Sequence, residues 1–412
     1  MGQPVWAEIE HFDPTGRIHR ARVSAPGGEP ELATLLTQLG GRREALRGPL
    51  WEAWTIAGLA GGRWAVAVHL SPVLAEGGAG VAAMWDTVLT RTPHAESPST
   101  ETGLGPAPSI SELVADMLSE MVENQITGAW LAADAVTAVL LSARGRLPDA
   151  RPPVQLGPAV ASMCGPVPTT VFNAPLTKRR SLAFVSTRRA DLEIVKDAFG
   201  GSAENVLLAA CTLGLGAWLQ CHDVVPDEPL VVAVAEGRVR LPVQLDDPVQ
   251  VLTNMHTATQ RAVLASHPDE KDSGADDLAK VMSMLWPWAA RAGMQVYSGL
   301  GLARRGETTC HGSISFVAYS ADTLFCAGVE VVGFYTAEPL VEGRGLQITV
   351  TSHADTMNVC VGACPDNVPV VGDIARGVAD AVDVLVAAAR RSPRGYGRSV
   401  VSEMTSRSGR RA

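Results

Sequence analysis

Three chemically capable side chains stand close together in the run His69–Gly80, HLSPVLAEGGAG: the imidazole of His69, the hydroxyl of Ser71 and the carboxylate of Glu76. An apolar run, Trp64–Val68, leads in, and an Ala/Val/Met/Trp-rich stretch leads out. That order predicts a strand, a tight turn containing glycine, and a helix, a junction that presents side chains at the mouth of a cavity. Side chains alternate along a strand, so His69 and Ser71 share a face while Pro72 points the other way. A Ser–His pair could supply a nucleophile, but no third residue can be named to orient the imidazole. Glu76 is the stronger base, because a carboxylate beside an apolar cavity would have its pKa raised and could take a proton near neutral pH. The plainer alternatives are a histidine satisfied at a strand end and a glutamate that only holds the turn.

The surrounding elements follow from periodicity. Val5–Ile9 and Arg17–Val23 read as short strands flanking the turn DPTG, and Ala25–Gly41 as a helix with Pro30 near its start. Trp51–Ala57 and Arg63–Leu70 read as a hairpin feeding the opening run, and Gly78–Leu89 as the helix leaving it. Thr90–Pro108 is loop-like, and Ile110–Val122 and Gln125–Ala143 carry apolar residues at helical spacing. Leu147–Val171 holds six prolines and reads as a linker.

Beyond the linker, Phe172–Gln220 reads as a turn, a strand, a short helix, a Gly-Gly turn and a long apolar helix. Ser202 should cap that last helix, Glu204 in its first turn suits the positive helix end, and the all-round apolar body should be buried. Pro229–Val234 is a strand, and Leu241–Leu252 enters a helix running to about Ala265. His267–Asp277 reads as a charged surface loop and Leu278–Arg291 as a helix interrupted by Pro287. Gly312–Pro369 supplies three or four strands and Val371–Ala389 the closing helix. The tail from Arg390 carries seven arginines against one glutamate, the composition of a solvated flexible end or of a contact with acidic headgroups.

Bulk composition narrows the class. With 412 residues, 46% hydrophobic and 19% charged, the chain builds substantial cores. A net charge of −9 and no basic stripe interleaved with aromatics argue against a nucleic-acid partner. Seven scattered cysteines make no disulfide framework and fit a reducing cytoplasm. Cys360 and Cys364 lack zinc-like partners, so no metal site is expected. No apolar run reaches the ~18 residues of a spanning helix, which leaves peripheral contact with membranes or lipid bodies open.

The frame Arg47–Gly80 resembles the segment around the HHxxxDG motif of the wax ester synthase/diacylglycerol acyltransferase family, part of the acyl-CoA-dependent acyltransferase superfamily. Ser71 and Pro72 stand where that family has its two histidines, and Glu76 stands where it has aspartate. Phe172–Gln220 is similar to a second family segment through Asn173, Pro175, Arg180, Gly200, Gly201 and the Val206 run, with Glu204 and Asn205 in place of an Asn-Asp pair. Of the family's Ser-Asn-Val-Pro-Gly-Pro strand only Ser315 and Val317 remain; Phe316, Ala318, Tyr319 and Ser320 replace the rest. The resemblance runs from Gln3 onward. Family members usually begin earlier, which implies either a trimmed fold or a late start.

This resemblance implies an α/β (α+β) fold of two chloramphenicol-acetyltransferase-like lobes, each a mixed sheet covered by helices, with a tunnel between them. The lobes would span 1–146 and 172–390, joined by the 147–171 linker and followed by the 391–412 tail. No bound cofactor is implied; acyl-CoA or another acyl thioester would be the co-substrate, with an apolar or acyl molecule as partner. Pro72, Asn173, Ser315, His311 and His353 fall on segments that line the tunnel or hold it. In the family the second histidine takes the alcohol proton, and Pro72 has neither a titratable group nor a backbone N–H. A positioned base contributes about 10²- to 10⁴-fold. Three readings stay open: acyl transfer with a substitute base, another reaction that orientation alone accelerates, and a non-catalytic binding homologue.

Overall fold

The computed structural model describes residues 13–41, 51–71, 79–93, 167–235, 237–265 and 309–392. The elements expected at 5–9, 110–143 and 278–291, most of the 147–171 linker and the tail beyond 392 lie outside them, as do Pro72 and Glu76.

The amino-terminal strands form a small three-stranded sheet. Strand β1 (Ile18–Arg22) runs parallel to β2 (Trp51–Ala57), and helix α1 (Glu29–Gly40) lies between them in sequence. A parallel pair needs such a crossover. Helix α1 begins after Gly28, whose N–H donates to Glu31 Oε2 at 2.7 Å, with Pro30 in its first turn. Strand β3 (Ala65–Leu70) returns antiparallel to β2 through a turn in which Gly58, Gly61 and Gly62 hold φ of 91°, 71° and 72°. Val23, Leu39, Trp54 and Ile56 are the core beneath this sheet. Helix α2 (Ala79–Val88) then leads to the two-residue strand β4 (Leu89–Thr90), which pairs with β9 (Phe325–Cys326), itself paired with β10 (Val329–Glu330).

The larger sheet has six strands: β5 (Ser181–Arg188), β6 (Leu230–Val234), β7 (Gly237–Leu241), β8 (Gly312–Ser320), β11 (Leu346–His353) and β12 (Thr356–Ala363), in the order β5-β12-β11-β8-β6-β7. It is mixed. β8 runs parallel to both β11 and β6, and the other pairings are antiparallel. Edge strand β7 precedes the helix entry expected at Leu241–Leu252, which leads into the helix Pro248–Ala265 as the sequence implied; the strand itself had no counterpart in the sequence reading. Its five residues, GRVRL, alternate charge with burial, too short a stretch for period-two patterning to stand out.

The two faces of this sheet differ in kind. Ile314, Leu346, Ile348, Val350, Val359 and Val361 point into one continuous apolar core shared with helices α3 (Arg189–Phe199), α4 (Ala203–Cys221), α5 (Pro248–Ala265) and α6 (Val371–Arg391). Helix α4 is buried along its length, as its uniform apolarity implied. It crosses α6 with backbones nearly touching: a Cβ at Gly214 would lie 2.7 Å from the Val378 nitrogen. The opposite face of β11 carries Gln347, Thr349, Thr351 and His353, every one of them at most 5% exposed. Asn358 and Cys360 of β12 share that face, covered by α1 and by the segment 331–345. From Pro14 onward the described residues fall in one of the chain's two units, drawn from 14–100, 166–265 and 307–412.

Candidate functional site

Strand β3 delivers His69 and then Ser71. His69 stands opposite Glu52 in the β2–β3 register, and Ser71, just past the strand end, is buried at 5% exposure.

Asn173 is a four-bond staple. Its Oδ1 accepts from the Thr170 N–H at 3.0 Å and the Thr170 hydroxyl at 3.1 Å, while Nδ2 donates to the carbonyls of Cys310 at 3.2 Å and Gly343 at 2.9 Å. The side chain thus ties the end of the linker to the start of β8 and to the loop before β11. His311, one residue before β8, works at the same junction. Its Nδ1 accepts from the Val231 N–H at 2.9 Å and its Nε2 faces the Pro168 carbonyl at 2.9 Å, so the neutral tautomer protonated on Nε2 satisfies both ends. Burial pushes its pKa below the ordinary 6.5, outweighing the backbone hydrogen bonds that favour the cation.

Ser315, about 13 Å further along β8 at ~3.3 Å per residue, belongs to a different network. The Gln347 amide donates to Glu338 Oε2 at 2.8 Å, the Ser315 hydroxyl donates to the same oxygen at 3.3 Å, and the Ser313 hydroxyl donates to Gln347 Oε1. Cys360 lies close enough to feel Glu338; burial first and that charge second push its thiol up to about 12. Beside this group, Tyr335, also raised to about 12 chiefly by burial, contacts Ser186 at 2.7 Å and Glu29 at 3.3 Å, and Ser186 donates to Asn358 Oδ1 at 2.9 Å. Two carboxylates and a chain of neutral donors therefore occupy one sheet face.

His353 lies at the far end of the sheet, paired in register with Ser320. Its Nε2 faces the Val331 carbonyl at 2.9 Å, and its Nδ1 is buried with no hydrogen-bond partner among the described residues. Along β8, then, Asn173 and His311 meet at one end, Ser315 sits in the middle and His353 at the other end. His69 and Ser71 belong to the other sheet. Glu338 and Gln347 were absent from the sequence reading. The available signal was the alternation Gln-x-Thr-x-Thr-x-His on a strand whose intervening positions run Leu, Ile, Val and then Ser352, because polar residues facing a buried layer need partners.

Asn205, standing in the expected Asn-Asp position, has a role of its own. It completes a capping box with Ser202, whose Oγ accepts from the Asn205 N–H at 3.2 Å, and its Nδ2 donates to Thr259 Oγ1 on α5 at 2.6 Å. Among the described residues no group of three or more His, Cys, Asp or Glu is arranged to hold a metal ion. No single described helix is long and apolar enough to cross a membrane; the pair α3 and α4, bent by 100°, reaches that length only together.

Comparison with known proteins agrees with this architecture. Residues 1–207 match the wax ester synthase/diacylglycerol acyltransferase catalytic domain, and residues 237–385 match the C-terminal domain of the same family. A putative diacylglycerol O-acyltransferase of Mycobacterium tuberculosis is 26% identical over 417 residues, covering 96% of this chain and 79% of its own. The O-acyltransferase WSD of Acinetobacter baylyi is 22% identical, covering 88% of this chain and 79% of its own. The wax ester synthase/diacylglycerol acyltransferase of Marinobacter aquaeolei VT8 superposes with a TM-score of 0.64 at 19% identity, covering 94% of this chain and 83% of that one. With both family domains matched in order along most of its length, the chain belongs to the wax ester synthase/diacylglycerol acyltransferase family.

Proposed function

We propose that this protein handles an acyl thioester, such as acyl-CoA, together with a bulky apolar acceptor, and that its acyl transfer to form an ester or amide is slowed or altered by the loss of the family's histidine base. The observation that carries the reading is the Ser71-Pro72 pair within a chain that otherwise belongs to the family throughout. Ester formation needs a group to take the acceptor's proton and donors to hold the oxyanion. Pro72 supplies neither, so the base must come from elsewhere in the chain. Glu76, or His69 with Ser71, would be the nearest sources in sequence. The reading includes two lobes divided near 147–171 and an interlobe tunnel, with Asn173 and His311 holding the loops around it.

The combined replacement of the motif histidines, the Asn-Asp pair and most of the Ser-Asn-Val-Pro-Gly-Pro strand supports a second reading, in which the tunnel is kept and the reaction is another one. Incubation with acyl-CoA and a panel of long-chain alcohols, diacylglycerol and amines, following free thiol and product together, separates the two. Ester or amide formation above the uncatalysed rate supports acyl transfer. Its absence across the panel, with a tightly held metabolite recovered from the gently purified protein, supports the second.

A further inference from the structure

Glu338 lies in the segment between β10 and β11, half-buried against the polar face of the larger sheet. The ion pairs formed among the described residues leave it out. Its hydrogen bonds come from neutral donors: Gln347 at 2.8 Å, itself 5% exposed and held by Ser313, and Ser315 at 3.3 Å. Drawing a carboxylate out of water without a cation is unfavourable, and a neutral glutamine would accept the same two bonds at smaller desolvation cost. A carboxyl group kept where an amide would make the same bonds points to a use beyond holding the loop.

The geometry also says which oxygen is available. Among the described residues, every hydrogen bond to Glu338 falls on Oε2 and none on Oε1. Both donors stand on adjacent parallel strands, Ser315 on β8 opposite Thr349 of β11 and Gln347 two residues before it. One carboxylate oxygen is therefore fixed by the sheet, and the other is left to act. A general base needs a rigid mount and an oxygen left unbonded, and Glu338 has both among the described residues.

We propose that Glu338 is the base that replaces the missing histidine, accepting the proton of the acceptor hydroxyl or amine on Oε1 while Ser315 and Gln347 hold Oε2. The inference rests on the acyl-transfer reading above. The acceptor oxygen or nitrogen forms its bond to the thioester carbonyl carbon as its proton passes to Glu338. The tetrahedral intermediate then collapses, the C–S bond breaks, and the protonated Glu338 returns the proton to the leaving thiolate. Ester or amide and free thiol result, with Glu338 ionised again.

The test compares wild type, Glu338→Gln and Glu338→Asp under saturating acyl-CoA, with the acceptor varied and thermal melting recorded for each. Glutamine keeps the acceptor for Gln347 and Ser315 and removes the base, so kcat should fall at least ~100-fold with KM within about threefold, the scale of general-base catalysis. Glu338→Asp keeps a base displaced by one methylene and should recover about tenfold over Glu338→Gln. A Glu338→Gln enzyme within about threefold of wild type in kcat overturns the inference while leaving acyl transfer intact. If Glu338→Gln does not fold, Glu338→Asp carries the test: unchanged kcat overturns the inference, and a drop of ~10-fold or more at constant KM supports it. A wild type that transfers no acyl group to any acceptor overturns the acyl-transfer reading and this assignment with it.

Discussion

The staple at Asn173 can be broken by a change of one atom. In Asn173→Asp the side-chain shape is retained, but the Nδ2 that donates to the carbonyls of Cys310 and Gly343 becomes an oxygen facing two oxygens. The acceptor side toward Thr170 is unaffected. Each carbonyl left without its donor costs about 1–3 kcal/mol. Cys310 is fully buried and Asn173 only half-buried, so the lower part of the combined range applies, about 2–4 kcal/mol. Denaturant unfolding followed by tryptophan fluorescence at pH 8 reads this directly. A second arm tests the mechanism rather than the size. The introduced carboxyl, pressed against two carbonyls, binds its proton more tightly folded than unfolded, where its pKa is about 3.9. The penalty is therefore full above the raised native value and shrinks as pH falls toward the unfolded value, because the protonated acid can donate one bond. The stability gap between variant and wild type should narrow between pH 8 and pH 5. A gap below about 1 kcal/mol at pH 8, or one that widens on acidification, refutes the amide orientation argued here.

Further outcomes follow from other sites. Gly214→Ala sets a Cβ 2.7 Å from the Val378 nitrogen and 2.8 Å from the Gly377 carbonyl carbon, both backbone, so overpacking of about 1–3 kcal/mol should exceed the ~1 kcal/mol gained in helix propensity and lower the urea midpoint. Ser202→Ala removes the cap on α4 and should destabilise by about 1 kcal/mol in the same assay. Because burial lowers the His311 pKa, the unfolded chain binds the proton first; stability should be full above pH 6.5 and fall as pH drops from there toward the native value, and His311→Gln should flatten that slope. Glu76→Gln should leave any acyl-transfer rate within about threefold of wild type if Glu338 is the base; a loss of ~100-fold would return that role to the opening motif.

Much of this fold is legible in the sequence because its strongest signals are local. The run from Val206 to Leu219 is apolar and is buried at every position but Leu213 and Ala217, and Ser202 sits where a cap was expected. The hairpin of β2 and β3, with glycines at its turn, follows from composition alone. Asn173 and Ser315 stood out as polar positions shared with the family resemblance, yet their partners lie on other elements: Cys310 and Gly343 for one, Glu338 and Gln347 for the other. Pairings across 23 or more positions leave no periodic trace. Glu338 is the clearest case, since its partners Ser315 and Gln347 come together only once β8 and β11 are laid side by side.

The larger sheet stands on one face only. Helices α3 to α6 anchor it through aliphatic side chains, while the opposite face sets hydroxyls, amides and carboxylates beside a small apolar patch at Leu182, Phe184 and Cys360. An architecture of this kind separates what must be preserved to fold from what can be rewritten to react. A lineage carrying it could exchange one proton acceptor for another, or one substrate for another, through a handful of substitutions on the polar face, and its overall likeness to its relatives would barely register the change. For proteins built this way, whole-chain similarity measures ancestry of the scaffold, and the chemistry has to be read from the few side chains on the other side.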